Sequence, residues 1–332
     1  MSKLATMRGV NLGGWFVLEH WMTPSVFSEM DARNEFELSR TKEGRARITR
    51  HHKNFITKKD LAWLKDQGVI IVRVPIGHWT LGGDDRYVSA AERLDWLMET
   101  SLSLGLKVLL DLHAAPGAQN RAEHSGSGNT VSNKHSTKWL NDKPAQTKTI
   151  ECLVELAQRY RDYPNLWGIE LLNEPTTARL GLRLVQFYRR AYRAVTTVAR
   201  PGTRIVFSDA YAPLLTTNTF WLMTKREFPA IMDVHCYQVF GAHNKSRSFE
   251  QHLQRLVWTK WFLRALRLQQ PIIVGEWSAM LPIKTTPEQT TQYITAQKKA
   301  FEPAEAQFFW NYKTESEGRW NYRDQAEKEL IQ

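Results

Sequence analysis

Trp167-Gly168-Ile169-Glu170-Leu171-Leu172-Asn173-Glu174-Pro175 is the stretch from which the chain can be read outward. Trp167 to Leu172 reads as a buried strand. Pro175 cannot continue a ladder, so the strand stops there and sets Glu174 at its carboxyl end. Asn173 places a neutral hydrogen-bonding group beside that carboxylate. Pro271-Ile272-Ile273-Val274-Gly275-Glu276-Trp277 has the same form, an apolar strand ending on a glutamate followed by an aromatic. Two strand ends with one glutamate each are the minimum for acid/base and nucleophile chemistry on a glycosidic bond.

Outward from these stretches the chain alternates. Strands are expected at Met7–Asn11, Val69–Val74 (ended by Pro75), Leu106–Leu112, Trp167–Leu172, Thr203–Phe207, Ile231–His235, Ile272–Glu276 and Ala306–Trp310. Helices are expected between them. Thr57 with Asp60 caps the first, Ser89 with Glu92 the second, and Thr286, Pro287 and Gln289 open the seventh. Others are read near 146–162, 180–199, Leu214 to Lys225, 249–268 and 324–331. Short apolar strands separated by helices imply a parallel sheet buried on both faces. Eight such units in 332 residues fit a closed (β/α)8 TIM barrel, an α/β fold. No G-x-G-x-x-G or Walker loop favours an open sheet. The reading is a single domain over residues 1–332, with long loops at about 12–57 and 114–145.

Composition narrows the function classes. Hydrophobic residues make up 42% of the chain, yet no apolar run is long enough to span a bilayer. The first residues are too polar for a signal peptide. Cys152 and Cys236 are too few for a disulfide framework and read as free thiols, so a reducing, cytoplasmic setting is expected. The net charge is +11, with basic residues gathered at Lys42–Lys53 and along Arg189, Arg190, Arg193 and Arg200. Solvated faces are the simpler reading of these; contact with an anionic glycan or membrane surface is the sharper one. No helix-turn-helix, zinc-finger or aromatic RNA-binding signature accompanies the charge, so no nucleic-acid partner is expected.

In a barrel of this kind the site lies at the carboxyl ends of the strands. The polar and aromatic residues there are Glu19, Arg73, His113, Asn173, Glu174, His235, Tyr237, Glu276 and Trp310. Any one of them alone would read as a satisfied core or structural residue. Together they are hard to explain as packing, because burying charge costs more than burying apolar groups. A retaining glycosidase needs two carboxyls about 5 Å apart, one protonated and one ionised. Arg73 and a tyrosine such as Tyr237 are expected to stabilise the ionised partner. Desolvation and like-charge repulsion are expected to keep the other protonated.

With these residues in hand, the chain resembles a family five glycoside hydrolase, a family of retaining barrels. The resemblance rests on Val72-Arg73-Val74-Pro75, Leu110-Asp111-Leu112-His113, Asn173-Glu174-Pro175, His235 with Tyr237, Gly275-Glu276-Trp277, and Trp310. Arg8-Gly9-Val10-Asn11-Leu12-Gly13-Gly14-Trp15-Phe16-Val17-Leu18-Glu19 further resembles the opening of the exo-β-1,3-glucanases (glucan 1,3-β-glucosidases). So do Ala115-Pro116-Gly117-Ala118-Gln119-Asn120 and Phe309-Trp310-Asn311-Tyr312-Lys313-Thr314-Glu315. The resemblance implies Glu174 as acid/base and Glu276 as nucleophile, with Asn173 on the 2-hydroxyl. It implies Arg73 and Tyr237 beside the nucleophile, His113 and His235 on sugar hydroxyls, and Trp310 as the floor of the −1 subsite. Glu19 and Asn120 would grip the terminal sugar. Where the fungal exo-enzymes carry glycine and an aromatic after that asparagine, Arg121-Ala122 stand here, and Phe240 is left as half of an aromatic clamp. The stretch from Glu276 to Trp310 is shorter than theirs and lacks their cysteines.

The expected activity is therefore exo-attack on β-1,3-glucan by double displacement, with transglycosylation as a variant outcome. The expected partner is an oligo- or polysaccharide, the expected state a monomer, with no metal and no cofactor. An endo-β-1,4- or β-1,6-glucanase and a β-glucosidase on a glycolipid or charged glucan are the related alternatives. A non-catalytic glycan-binding barrel would not need both carboxylates. A metal-dependent hydrolase would want a His-x-His on strand one, which is absent from the sequence.

Overall fold

The computed structural model describes residues 5–120, 122–125, 138–176, 181–213 and 223–331. Eight parallel strands close in sequential order: β1 (Met7–Asn11), β2 (Ile71–Gly77), β3 (Lys107–Ala114), β4 (Leu166–Glu170), β5 (Arg204–Ser208), β6 (Ala230–His235), β7 (Ile272–Trp277) and β8 (Ala306–Phe309). β8 pairs back on β1, Met7 against Ala306 and Gly9 against Phe308. The chain is a (β/α)8 barrel. The helices used below are α1 (Lys42–Asn54), α2 (Lys58–Asp66), α3 (Ala91–Ser103), α4 (Lys143–Arg159), α5 (Leu182–Val198), α6 (Phe249–Gln269), α7 (Pro287–Ala300) and α8 (Tyr322–Glu327).

Side chains alternate along each strand, and this sorts the barrel into layers. Ile71, Leu109, Trp167, Val206, Ile231, Ile273, Ala306 and Phe308 form one buried apolar cluster, the plug inside the barrel. Two residues further along the same strands the chemistry changes. Ile71 is followed by Arg73, Leu109 by Asp111 and then His113, and Ile231 by Asp233 and then His235. The pattern that fills the bottom of the barrel with hydrocarbon thus fills its mouth with charge. The intervening residues, among them Val72, Val74, Val108, Leu110, Ile205 and Val274, face the helices in the main core.

Local signals behaved as their chemistry requires at Thr57–Asp60 and Thr286–Gln289, where both capping boxes form. Elsewhere the structure differs from the expectation. Pro75 lies inside β2, not after it, opposite Asp111 of β3. Arg73 turns its carbonyl to Leu12 of the β1 side, at 2.8 Å. Pro75 faces that same side beyond the end of β1, where its missing N–H costs no ladder bond. Ser89 does not cap α3. Its hydroxyl donates to the Thr80 carbonyl at 3.1 Å and only weakly accepts from Ala91 N at 3.4 Å, no capping box forms with Glu92, and Ala90 takes the cap position. The stretch read as one long connection from residue 12 holds two short helices and α1, whose start Thr41 caps. The helix expected near Leu214 to Lys225 lies largely outside the described residues.

Candidate active site

Arg73 stands at the centre of the mouth, fully buried. Its guanidinium donates to Glu170 in a fork, Nε to Oε2 at 2.8 Å and Nη2 to Oε1 at 3.2 Å. Nη1 donates to Asn11 Oδ1 at 3.0 Å and to Glu276 Oε1 at 3.1 Å, and Nη2 to Asn173 Oδ1 at 2.9 Å. Asp111 Oδ2 lies 3.1 Å from Nη2 and Asp233 Oδ2 3.8 Å from Nε. Burial opposes the charge on Arg73, and the fields of Asp111, Glu170, Glu276 and Asp233 more than offset it. A planar five-donor cation suits this position, where lysine would leave acceptors unmet.

From Arg73 one chain of hydrogen bonds fixes the neutral groups. Asp111 Oδ2 is 2.6 Å from His113 Nδ1, and His113 Nε2 is 3.4 Å from Asn173 Nδ2. Burial, then the charge of Arg73, holds the His113 pKa well below its usual value, so the imidazole is neutral. Its proton sits on Nδ1, toward Asp111, and Nε2 accepts from Asn173. With Asn173 Oδ1 held by Arg73, one amide hydrogen of Asn173 is left to point into the mouth. The His113 ring lies parallel to Trp310, interplanar 11° and centroids 5.5 Å apart. Gly13 lies against the edge of the same indole, where a Cβ would come within 2.8 Å of the ring.

Glu174 follows β4 at φ 41°, a left-handed conformation uncommon for a residue with a side chain. Its backbone carbonyl accepts from Asn120 Nδ2 at 3.1 Å. Its Oε1 meets His235 Nδ1 at 2.6 Å and also accepts the Tyr211 hydroxyl. Its Oε2 is 3.7 Å from His124 Nε2. Glu276 accepts from Arg73 on Oε1 and from the Tyr237 hydroxyl on Oε2, the latter at 2.8 Å. The same His235 Nδ1 is 3.5 Å from Glu276 Oε2. One carboxylate oxygen of Glu174 and one of Glu276 lie within 4.8 Å of each other.

The electrostatics reverse one expectation. Burial opposes the charge on Glu174, but the hydrogen bond and charge of His235, with His124 and Tyr211, outweigh it and pull its pKa below the usual carboxylate range. Desolvation therefore does not prevail at Glu174. Burial instead pushes Glu276 up to about 7; the charge of Glu174 adds to this while His235 and Arg73 oppose it. His235 is raised well above its usual value: burial works against its charge, and Glu276, Asp233 and Glu174 prevail. Burial also raises Asp111, to about 7, and raises Glu170. Carboxylates outnumber cations here, so the mouth holds protons that an exposed site would release.

At the rim, Tyr237, Phe240, Trp320 and Trp21 form an aromatic shelf. Trp320 lies 5.6 Å from Tyr237, 6.2 Å from Phe240 and 5.8 Å from Trp21, between ring centroids. Phe240 is 63% exposed, an open face for a ligand to cover. Trp21 Nε1 donates to Glu19 Oε2 at 2.9 Å, and Glu19 bridges Asn34 across the loop that follows β1. Asn311 ties that loop to the end of β8, accepting from Gly13 N at 2.7 Å and donating to Gly13 O at 3.0 Å.

Every residue singled out in the sequence is placed at this one end of the barrel. Glu174, Glu276, Arg73, His113, Asn173, His235 and Tyr237 share direct contacts, Trp310 stacks on His113, Asn120 holds the Glu174 backbone, and Phe240 and Glu19 stand at the rim. Asn11, Glu170, Asp233, His124, Tyr211 and Trp320 were not singled out. Glu170 and Asp233 left a readable signal, a carboxylate inside an otherwise apolar strand run. The loop residues His124, Tyr211 and Trp320 left none. Glu170, Asp233 and His235, and also Glu174, His235 and Glu276, bring their atoms close enough to ligate an ion. Arg73 already supplies a fixed positive charge to Glu170, Asp233 and Glu276, the role a metal would have there.

A parallel barrel with two facing carboxylates at its carboxyl mouth defines a glycosidase. The family model described as Cellulase (glycosyl hydrolase family 5) matches residues 32–316. The chain belongs to glycosyl hydrolase family 5, a family of retaining enzymes. It is 29% identical to the probable glucan 1,3-beta-glucosidase A of Aspergillus niger, over 99% of this chain and 88% of that protein. It is 30% identical to the glucan 1,3-beta-glucosidase of Blumeria graminis, over 98% of this chain and 86% of that protein. Among solved structures it is similar to rutinosidase from Aspergillus niger, with TM-score 0.84, 16% identity and 99% of each chain covered. That last likeness concerns the fold.

Proposed function

We propose that the chain is an exo-acting β-glucosidase on β-1,3-linked glucan, working by double displacement with Glu276 as nucleophile and Glu174 as acid/base. The observation that carries the mechanism is the approach of the two carboxylates to within 4.8 Å. Inverting enzymes hold their carboxyls farther apart to admit a water between them. Glu276 attacks the anomeric carbon while the bond to the leaving oxygen breaks and Glu174 gives that oxygen its proton. Water then attacks the same carbon, returns a proton to Glu174, and frees Glu276. The His235 proton on Glu174 Oε1 stabilises the carboxylate formed when Glu174 donates. Arg73 and Tyr237 fix the orientation of Glu276 and leave a lone pair on each oxygen for attack. The spare Asn173 hydrogen is placed for the 2-hydroxyl, and Trp310 offers a flat apolar face beneath the sugar. None of these steps needs a metal or cofactor.

The β-1,3 linkage and exo mode are supported by relatives matched over nearly their whole length. They are also supported by Glu19, held at the rim by Trp21 and the bridge to Asn34. Phe240 and Trp320 would provide the leaving-side platform, Trp320 taking the place of the aromatic absent after Asn120.

The test is product analysis on laminari-, cello- and gentio-oligosaccharides, with Glu276→Ala as control. Glucose from the β-1,3 series alone, lost in the variant, is the expected result. Longer first products would overturn exo attack, and silence on all three series would overturn the glucan substrate. Azide rescue assigns the carboxylates: α-glucosyl azide from Glu276→Ala and β-glucosyl azide from Glu174→Ala are expected, and the opposite pair would exchange their roles.

A further inference from the structure

Helix α6 is apolar on two sides. Its inner side, including Phe249, Leu256, Leu263 and Leu266, is buried against the barrel. Its outer side carries Val257, Trp258, Trp261, Phe262 and Leu268, which are 49, 67, 59, 41 and 90% exposed. The first four fall at three- and four-residue steps, and Leu268 lies two turns beyond Trp261, so all five share one side of the helix. Single exposed apolar residues need no explanation, but five large ones on one helix face mark a contact surface.

Charge identifies what the stripe meets. The helix carries Arg255, Lys260, Arg264 and Arg267, and its one carboxylate is Glu250 in the first turn. Lys260 and Arg267 pair with Glu302 and Glu305, at 2.7 and 2.9 Å. Arg264 lies over the Trp261 ring, 5.0 Å from its centroid, and has no ion pair among the described residues. Beside Trp258 a shallow cleft of about 440 Å³ is lined by His243, Arg247, Arg255 and neutral polar side chains, with no carboxylate. Two copies joined through this face would set arginine against arginine, with Glu250 at its amino end the one acid of the helix to meet them. An anionic lipid surface supplies both phosphates for the cleft and an acyl boundary for the tryptophans.

We propose that α6 docks the protein on anionic phospholipid membranes, with Arg247 and Arg255 on headgroup phosphates and Trp258, Trp261, Phe262 and Leu268 in the interface. The amino end of α6 is linked to Phe240 at the rim by a short helix, Ala242–Lys245, in which Asn244 donates to the carbonyl of Phe240. A docked protein therefore holds its site beside the bilayer, next to any β-glucan or glucoside on that surface. The net charge of +11 draws the chain to such a surface from a distance.

The experiment is co-sedimentation of the full chain with vesicles of phosphatidylcholine alone and of phosphatidylcholine mixed with phosphatidylglycerol. Binding to the mixed vesicles, weakened by salt, is expected. Arg255→Gln and Arg264→Gln should each weaken it about fivefold, and Trp258→Ser with Trp261→Ser at least about tenfold. Far-ultraviolet circular dichroism and Tm check that each variant is folded. Glu276→Ala should bind vesicles like wild type, which separates docking from the proposed chemistry. Equal binding to both vesicle types, no binding, or unaltered binding by the variants would overturn the proposal. So would a dimer in sedimentation velocity that the tryptophan variants dissociate.

Discussion

His235 Nδ1 stands 2.6 Å from Glu174 Oε1, and this hydrogen bond, with the charge of His235, pulls the Glu174 carboxyl down against its burial. The imidazole is held charged between Glu174, Glu276 and Asp233, its Nε2 3.4 Å from Asp233 Oδ2. It draws Glu174 down while burial raises Glu276, and the two carboxyls titrate as a pair.

The pH profile follows from this pair. In the proposed mechanism the active form carries one proton on Glu174 and Glu276 together. With Glu276 at about 7 and Glu174 below the usual range, kcat/KM should fall above about pH 7 as the last proton leaves. It should hold well into the acid range. In Glu174→Gln, tested on an aryl glucoside whose leaving group needs no acid, the like charge is gone and Glu276 titrates lower. That variant should rise to a plateau with pH; a persistent fall above 7 would sink the assignment.

Arg73→Met removes the counter-charge of Asp111, Glu170, Asp233 and Glu276 at once. Breaking a buried ion pair from one side costs about 3–5 kcal/mol, and a loss of at least that size is expected in urea melts. Arg73→Lys keeps the charge but cannot bond Asn11, Glu170, Asn173 and Glu276 together. It should lose far more in kcat than in stability, and equal losses would contradict the positioning role.

Gly275→Ala tests a close approach. A Cβ there would lie 1.9 Å from Asp233 Oδ2, and the Gly275 N–H already donates to Asp233 Oδ1 at 2.6 Å. Overpacking of this kind costs about 1–3 kcal/mol. The variant should melt earlier and turn over more slowly, because Asp233 also faces His235 and Glu276 is the next residue. An unchanged Tm would show that Asp233 can step aside.

Glu35 lies outside the site, buried in the loop after β1, where it accepts from Leu18 N at 3.0 Å and Trp79 Nε1 at 2.9 Å. Burial pushes its carboxyl up to about 8, against the pull of these two donors. A raised carboxyl binds its proton more tightly in the folded chain, so its contribution is full below about 4.5 and is lost as pH rises toward 8. Relative to Glu35→Gln, wild type should lose up to about 1.4 kcal/mol per pH unit across that window. Parallel stability curves for the two proteins would refute the burial argument.

What the chain determined by itself was what repeats locally. Eight apolar strands at helix-spaced intervals, Pro175 after Glu174, and Gly275-Glu276-Trp277 were enough to order the barrel and bring the two glutamates to one mouth. Strand alternation did the rest for Arg73, His113 and His235, because steps of two and four residues past an apolar plug residue land in the mouth. Only closure of the barrel decided which charges meet. Asn11 and Glu170 sit on β1 and β4, yet Arg73 of β2 reaches both, and such partners are far apart in sequence. Tyr211, His124 and Trp320 come from loops with no period to read. The Glu174 protonation state depended on His235, 61 residues away in the chain. Local pattern encodes which face a residue takes; the sign and strength of the field it meets come from neighbours that only tertiary packing supplies.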